Sequence, residues 1–336
     1  MSTRSTEVRL AARPQGWPTP ETFEFAETEV PDPGPGQVLV RNLLMSVDPY
    51  MRGRMDDRES YVAPFEVGKA LEGGAVGEVV ASGDERIKPG TFVLHGLGWR
   101  DYALVNARHV NPVEESVAPL GAYLGVLGMP GLTAYAGLFE TAEFKPGDVV
   151  FVSSAAGAVG QVVGQLAKLK GAAAVIGSAG SAAKVAYLTD ELGFDAAFDY
   201  HDGPVHDLLK AAAPDGIDVY FDNVGGDHLE AAIGAMHVHG RITICGMISV
   251  YNATAPTPAP RNLLTMISKR LTMRGMLVGD HAALQPRFVA DVAPLLADGS
   301  LRNRETVHEG LSAAPDAFLA MLRGEGLGKH LVRIAS

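Results

Sequence analysis

Apolar and polar positions alternate over short runs in the first third of the chain. Phe23-Glu24-Phe25-Ala26-Glu27-Thr28-Glu29-Val30 alternates residue by residue. The turn-forming Pro31-Asp32-Pro33-Gly34-Pro35-Gly36 follows, and residues 37–47 return as a mostly apolar run. Residues 77–83, 90–94 and 102–105 are further short runs bounded by turn signals. That spacing predicts a β-rich barrel or half-barrel. Val8-Arg9-Leu10 is expected to be a first strand, and residues 1–6 a frayed tail.

The pattern changes after about Pro119. Residues 120–127 and 132–140, rich in Ala, Gly and Leu, predict helices. Strands are then predicted at 149–152, 173–177, 196–199, 217–221 and 240–245. Helices are predicted between and after them, at 160–170, 181–191 (capped by Ser181), 206–212, 229–235, 262–269 and 286–297. Strands alternating with helices predict an α/β unit with a parallel sheet covered on both faces. Right-handed crossovers place its ligand at the carboxyl ends of the strands. Residues 253–260, with Pro256, Pro258 and Pro260, cannot be helix or central strand and are a candidate lid. Residues 329–334 read as a strand that rejoins the first domain.

One stretch carries chemistry of its own. Val149-Val150-Phe151-Val152 is an apolar run, Ser153-Ser154-Ala155-Ala156-Gly157-Ala158-Val159-Gly160 is small, and a helix pattern follows. This is the strand, glycine turn and helix of a dinucleotide site, with Ala155 in place of the first glycine. Gly157 lets the backbone approach a pyrophosphate, Gly160 lets the helix pack close, and the helix start attracts the phosphates. The end of the next strand, Val175-Ile176-Gly177-Ser178-Ala179-Gly180-Ser181, has no acid to take a ribose 2′-hydroxyl. Lys184 follows, and a cation suits a 2′-phosphate. The cofactor indicated is NADP rather than NAD.

Composition narrows the classes. The 336 residues are enough for about two domains. A net charge of -11 without a basic run argues against nucleic acid. The single cysteine, Cys245, excludes internal disulfides and multi-cysteine zinc sites, and fits a reducing, cytoplasmic setting. No signal-peptide core or membrane-length apolar run is present, so no membrane partner is expected.

Several motifs are together specific. They are Ser46-Val47-Asp48-Pro49-Tyr50-Met51-Arg52, Gly128-Met129-Pro130-Gly131-Leu132-Thr133-Ala134-Tyr135, the 155–160 turn and Lys184-Val185-Ala186-Tyr187-Leu188. Further on stand Asp222-Asn223-Val224-Gly225-Gly226, Cys245-Gly246-Met247-Ile248-Ser249 with Tyr251-Asn252, and Arg261-Asn262-Leu263. With them the chain resembles the zinc-independent medium-chain dehydrogenases/reductases, in the branch of prostaglandin reductases, 2-alkenal (enone) reductases and curcumin reductases. The resemblance implies a GroES-like β-barrel catalytic domain from residues 1–125 and 305–336. It implies a Rossmann doubly wound parallel-sheet domain from residues 126–304, and a homodimer. Zinc-using relatives carry Gly-His-Glu where this chain has Gly68-Lys69-Ala70-Leu71-Glu72. Catalytic zinc needs about three ligands, and no metal is expected. His237-Val238-His239 is read as structural and placed ahead of a strand.

The resemblance also implies residue roles. Gly157, Ala158, Val159 and Gly160 hold the pyrophosphate. Lys184 and Tyr200, with Ser181, hold the 2′-phosphate. Asn223 and Cys245, Gly246, Met247, Ile248, Ser249 and Tyr251 line the nicotinamide side, and Met276, Leu277 and Val278 offer backbone contacts to the carboxamide. Tyr251 is the candidate enolate donor or proton relay, and Tyr50 a pocket wall or carbonyl partner, with Asp48 and Arg52 bracing its loop. The implied reaction is NADPH-dependent reduction of an enone or enal C=C bond. Quinone reduction and a non-catalytic NADP-binding role are the alternatives. Where the family has Asn in Arg-Gly-Glu-Asn-x-Gly-Lys, this chain has Gly326, so weaker NADP binding is expected.

Overall fold

The structure, a computed structural model, describes residues 2–335. The chain forms two compact units, Met1–Leu124 with Glu305–Ser336, and Gly125–Arg304.

The second unit is built on six strands: β1 (Val149–Val152), β2 (Ala174–Ala179), β3 (Ala196–Asp199), β4 (Ile217–Asp222), β5 (Met236–Ile244) and β6 (Thr272–Gly275). Their order is β3-β2-β1-β4-β5-β6, and every neighbouring pair is parallel. This is the doubly wound dinucleotide-binding topology, in which the strand order reverses between β1 and β4. The strands are apolar because helices cover both faces. Val150, Phe151, Val152, Val219, Tyr220 and Phe221 are fully buried.

Two predicted helices change character. The segment from Met129 is α-helical to Ala136 and then widens into a π turn, Gly137–Thr141. Ser181 caps the helix Ala182–Ala186 by accepting the Lys184 N–H at 3.3 Å, and that helix widens into a π turn at Tyr187–Glu191. Residues 120–127 give only a 3-10 turn, Leu120–Leu124. Gly121 and Gly125 disfavour helix there. The β6 strand, absent from the pattern-based expectation, is four mostly exposed residues at the sheet edge.

The first unit is β-rich. Strands Ser2–Leu10 and Phe23–Pro31 pair antiparallel over their whole length. The expected frayed tail at residues 1–6 is therefore corrected over residues 2–6, which pair with Pro31 to Glu27, while Met1 lies outside the described residues. Their polar side chains hid a strand of which one face is wet. The remaining strands form one sheet around Gln37–Ser46, which pairs with Ala75–Ser82, Tyr102–Asn106 and the carboxyl-terminal Lys329–Arg333. Register shifts at Leu39/Val40 and Asn42/Leu44 mark bulges, which bend a strand and let one segment serve several partners. Trp99 anchors the core, stacked on Phe23 at 6.0 Å and edge-on to Phe318 at 6.2 Å.

Candidate active site

Because the sheet is parallel, the carboxyl ends of β1, β4, β5 and β6 lie along one edge. In register, Val152 pairs with Phe221, Asp222 with Ile244, and Ile244 with Gly275. The segments that leave these ends carry Gly157 to Gly160, Asn223, Cys245 to Tyr251, and Met276 to Val278. The structure thus gathers these candidates on one edge of the second unit. Ser181, Lys184 and Tyr200 leave β2 and β3 at the same edge, on the other side of β1. Tyr50 belongs to the first unit.

The turn after β1 is tight. Ser154 adopts φ +50°, Ala155 N–H donates to Ser178 O at 2.9 Å, and Gly157 N–H donates to Ser154 O at 3.0 Å. A Cβ at Gly160 would stand 2.4 Å from Ser154 O and 2.7 Å from Ala155 Cα. Only glycine fits where the helix Gly160–Leu169 starts. Ala155 is tolerated because its methyl faces Gly177, where a second Cβ would lie 3.0 Å away. Gly157, Ala158 and Val159 remain half-buried, so their backbone is open at the helix start. That cradle fits a pyrophosphate.

A polar cluster fixes the reversal point. Asn223 N–H donates to Ser153 Oγ at 2.9 Å, and Asn223 Nδ2 donates to Ser153 O at 2.8 Å. Asp222 is buried, and its Oδ1 accepts from Tyr220 O–H at 2.7 Å, Val224 N–H at 2.9 Å and Gly225 N–H at 2.8 Å. Burial pushes the Asp222 carboxyl up against these bonds, and drives the Tyr220 phenol well above its ordinary value. Asp222 O also accepts Cys245 N–H and Gly246 N–H at 2.9 and 3.0 Å, tying β4 to the segment after β5. Sequence reasoning missed Ser153 and Tyr220 as supports of Asn223. Their signal was a Ser at the end of one apolar buried strand and a Tyr inside another.

The segment after β5 folds back on itself. Met247 N–H donates to the Tyr251 hydroxyl at 3.3 Å, and a Cβ at Gly246 would lie 3.2 Å from that oxygen. The Tyr251 ring is therefore held across the end of β5. Ser249 Oγ donates to Val224 O at 2.5 Å, pinning the 3-10 turn Ile248–Val250. Burial and the Asp222 charge push the Cys245 thiol up to about 12, so it is an unreactive thiol at neutral pH. Beyond β6, Met276 N–H extends the ladder to Ile244 O at 3.0 Å.

On the β2 and β3 side, no carboxylate follows β2 before Lys184. Desolvation lowers the Lys184 ammonium below its ordinary value. The Tyr200 ring lies over Gly180, where a Cβ would meet its hydroxyl at 3.0 Å, and stands edge-on to His228 at 5.5 Å. His228 is buried, with Nε2 unpaired, and desolvation lowers it to about 4. It is a neutral support under Tyr200 that sequence reasoning also missed.

In the first unit, Tyr50 opens the short helix Tyr50–Arg54 and packs on the core around Val47, Met51 and Trp99. Burial, and after it the Asp48 charge, raise its phenol far above the ordinary value, so it is a neutral hydrogen-bond donor. Asp48 pairs with Lys329, and Arg52 donates to Gly16 O at 2.8 Å and to Asp56 at 2.7 Å. Both brace the loop.

His237 and His239 lie within β5, not ahead of it. His237 is held by Asp218 at 2.8 Å and Asp215 O at 2.6 Å. Among the described residues, no three His, Cys, Asp or Glu gather as a metal site. Gly326 adopts φ +69°, and a Cβ there would meet Thr306 Oγ1 at 2.8 Å and His330 Nε2 at 2.9 Å.

A doubly wound sheet with a glycine turn at its reversal point, joined to a β-rich unit, defines a dinucleotide-dependent oxidoreductase class. Family models agree: residues 6–113 match an N-terminal domain of oxidoreductase, and residues 158–297 match a zinc-binding dehydrogenase domain. The chain belongs to the medium-chain dehydrogenase/reductase family, in the branch that holds the curcumin, 2-alkenal and prostaglandin reductases. It is 44% identical to YfmJ of Bacillus subtilis (strain 168) over 100% of this chain and 99% of that one. It is 42% identical to the NADP(+)-dependent 2-alkenal reductase of Nicotiana tabacum, covering 95% of this chain and 94% of that one. The crystal structure of CurA in complex with NADPH from Vibrio vulnificus superposes with a TM-score of 0.93 at 38% identity, over 98% of this chain and 99% of that one.

Proposed function

We propose that this protein is an NADPH-dependent reductase of the C=C bond of α,β-unsaturated ketones and aldehydes. NADPH, when bound, supplies the hydride that the β-carbon of the enone receives. Gly157, Ala158, Val159 and Gly160 bind the pyrophosphate at the helix start. Ser181, Lys184 and Tyr200 take the 2′-phosphate, and Asn223, Cys245 to Ser249 and Met276 to Val278 orient the nicotinamide. Tyr251 donates to the carbonyl oxygen, on which negative charge develops as the enolate forms. Tyr50 supplies a second hydrogen bond or wall to the substrate. A donor aimed at such an oxygen is worth roughly 2.7–4 kcal/mol.

The observation that carries this reading is the Tyr251 hydroxyl, held across the end of β5 by the Met247 N–H. The acid-free end of β2 before Lys184 supports NADPH. The residues 1–125 and 305–336 form the catalytic domain and residues 126–304 the cofactor domain of a cytoplasmic homodimer. Replacing Tyr251 with Phe tests the chemistry: single-turnover hydride transfer to an enal is expected to fall roughly 10²–10³-fold. An unchanged rate removes Tyr251 from the reaction. Turnover of quinones at a higher kcat/KM than any enal or enone would replace the substrate class.

A further inference from the structure

The last strand, Lys329–Arg333, begins with a buried cation. Lys329 is 1% exposed, and its Nζ donates to Asp48 Oδ1 at 2.7 Å and to Val47 O at 2.8 Å. Asp48 is itself buried, and its other oxygen accepts the Ser46 hydroxyl. Asp48 O then accepts Met51 N–H at 3.1 Å, and Pro49 O accepts Arg52 N–H at 3.1 Å, which starts the helical turn that presents Tyr50. One ammonium thus grips two consecutive residues just before Pro49-Tyr50, across 281 positions of sequence. A buried ion pair is weak support for stability, because desolvating both charges offsets their attraction. A geometric role explains its retention better.

We propose that Lys329 is a positioning residue for Tyr50: it clamps the Val47-Asp48 bend and offsets part of the Asp48 charge. The inference rests on the substrate-facing role given to Tyr50 above. Asp48 stands two residues before Tyr50, and its charge adds to burial in raising the Tyr50 phenol. Left unpaired, it would oppose the negative charge that develops on a carbonyl oxygen bound there. Lys329 offsets part of that charge, and the bend that sets the Tyr50 backbone is fixed at Val47 O and Asp48 Oδ1.

The test is a cycle in kcat/KM for a fixed enal, with NADPH affinity and near-ultraviolet circular dichroism read in parallel. Lys329→Met is expected to lose roughly 10- to 100-fold in kcat/KM while NADPH affinity is kept. Asp48→Asn with Lys329→Met is expected to regain part of that loss, since no buried charge is left alone. In a Tyr50→Phe background, Lys329→Met is expected to add less than about twofold. Losses that multiply across Tyr50 and Lys329 overturn the proposal alone. A Tyr50→Phe enzyme with full kcat/KM overturns the Tyr50 assignment, and the proposal with it. Should Lys329→Met not fold, the cycle of the Asp48→Asn/Lys329→Met pair with Tyr50→Phe reads the same coupling, with the same two overturning results.

Discussion

Gly160 and Gly326 show how single Cβ atoms decide the site. At Gly160 the obstacle is backbone, Ser154 O, which cannot swing away. Gly160→Ala is therefore expected to destabilise the protein by about 1–3 kcal/mol and to weaken NADPH binding, as measured by denaturant unfolding and fluorescence titration. Unchanged values for both would mean that the turn relaxes at no cost. At Gly326 the obstacles are the side chains of Thr306 and His330, and φ is left-handed. Restoring the family residue with Gly326→Asn is expected to lower the melting temperature rather than tighten NADPH, because the amide enters space already filled. A gain in NADPH affinity without loss of stability would show that the loop can carry the family contact.

Strand Phe92–His95 carries a pH-sensitive element. His95 is buried; its Nε2–H donates to Asn42 Oδ1 at 2.9 Å and its Nδ1 accepts Leu97 N–H at 3.1 Å. Both nitrogens are committed to the neutral ring, and burial lowers His95 to about 4. Burial also lowers His228, under Tyr200, to about 4, although its Nε2 has no partner. Each folded value lies below the ordinary 6.5, so folding favours the neutral form. Stability is then full above about pH 6.5 and declines as pH falls towards 4, on the order of 3 kcal/mol per histidine at the acid end. Denaturant unfolding from pH 7 to 4.5 checks this, and His95→Gln is expected to flatten part of the slope. A slope that His95→Gln leaves unaltered would assign the acid sensitivity elsewhere.

The same elements show what was legible in the sequence. Strands β1 to β4 are largely apolar runs flanked by glycine and helix signals, so pattern located them; of β5 only the half from Gly240 was located, because Met236 to His239 are polar or mixed. Strand β6, Thr272-Met273-Arg274-Gly275, is an exposed edge with no apolar run, and escaped. Residues Ser2 to Thr6 escaped for the same reason, since pairing with Val30 and Glu29 is a long-range event that polar side chains do not announce. Of the candidate site, the glycine turn and the acid-free strand end could be read from residue types at their spacing. Tyr251 and Tyr50 needed the family resemblance. The supports His228 and Lys329 escaped because each acts on a partner far away in sequence, and Ser153 and Tyr220 left only the signal of a polar group in an apolar run.

Across the whole molecule, the reading makes two demands. The exposed β6 edge and the exposed apolar Leu263, Leu264 and Ile267 are surfaces a second copy could cover. Sedimentation is expected to give a dimer, and a monomer at micromolar concentration would refute that part. The second demand is the reaction itself. The most direct measurement is transfer from NADPH deuterated at the reactive C4 position to an enal or enone, with the product's label located by NMR. Deuterium at the former β-carbon of a saturated aldehyde or ketone is the expected result, with NADH a much poorer donor. Deuterium on a carbinol carbon with the C=C bond intact, or a preference for NADH, would contradict NADPH-dependent C=C reduction by this protein.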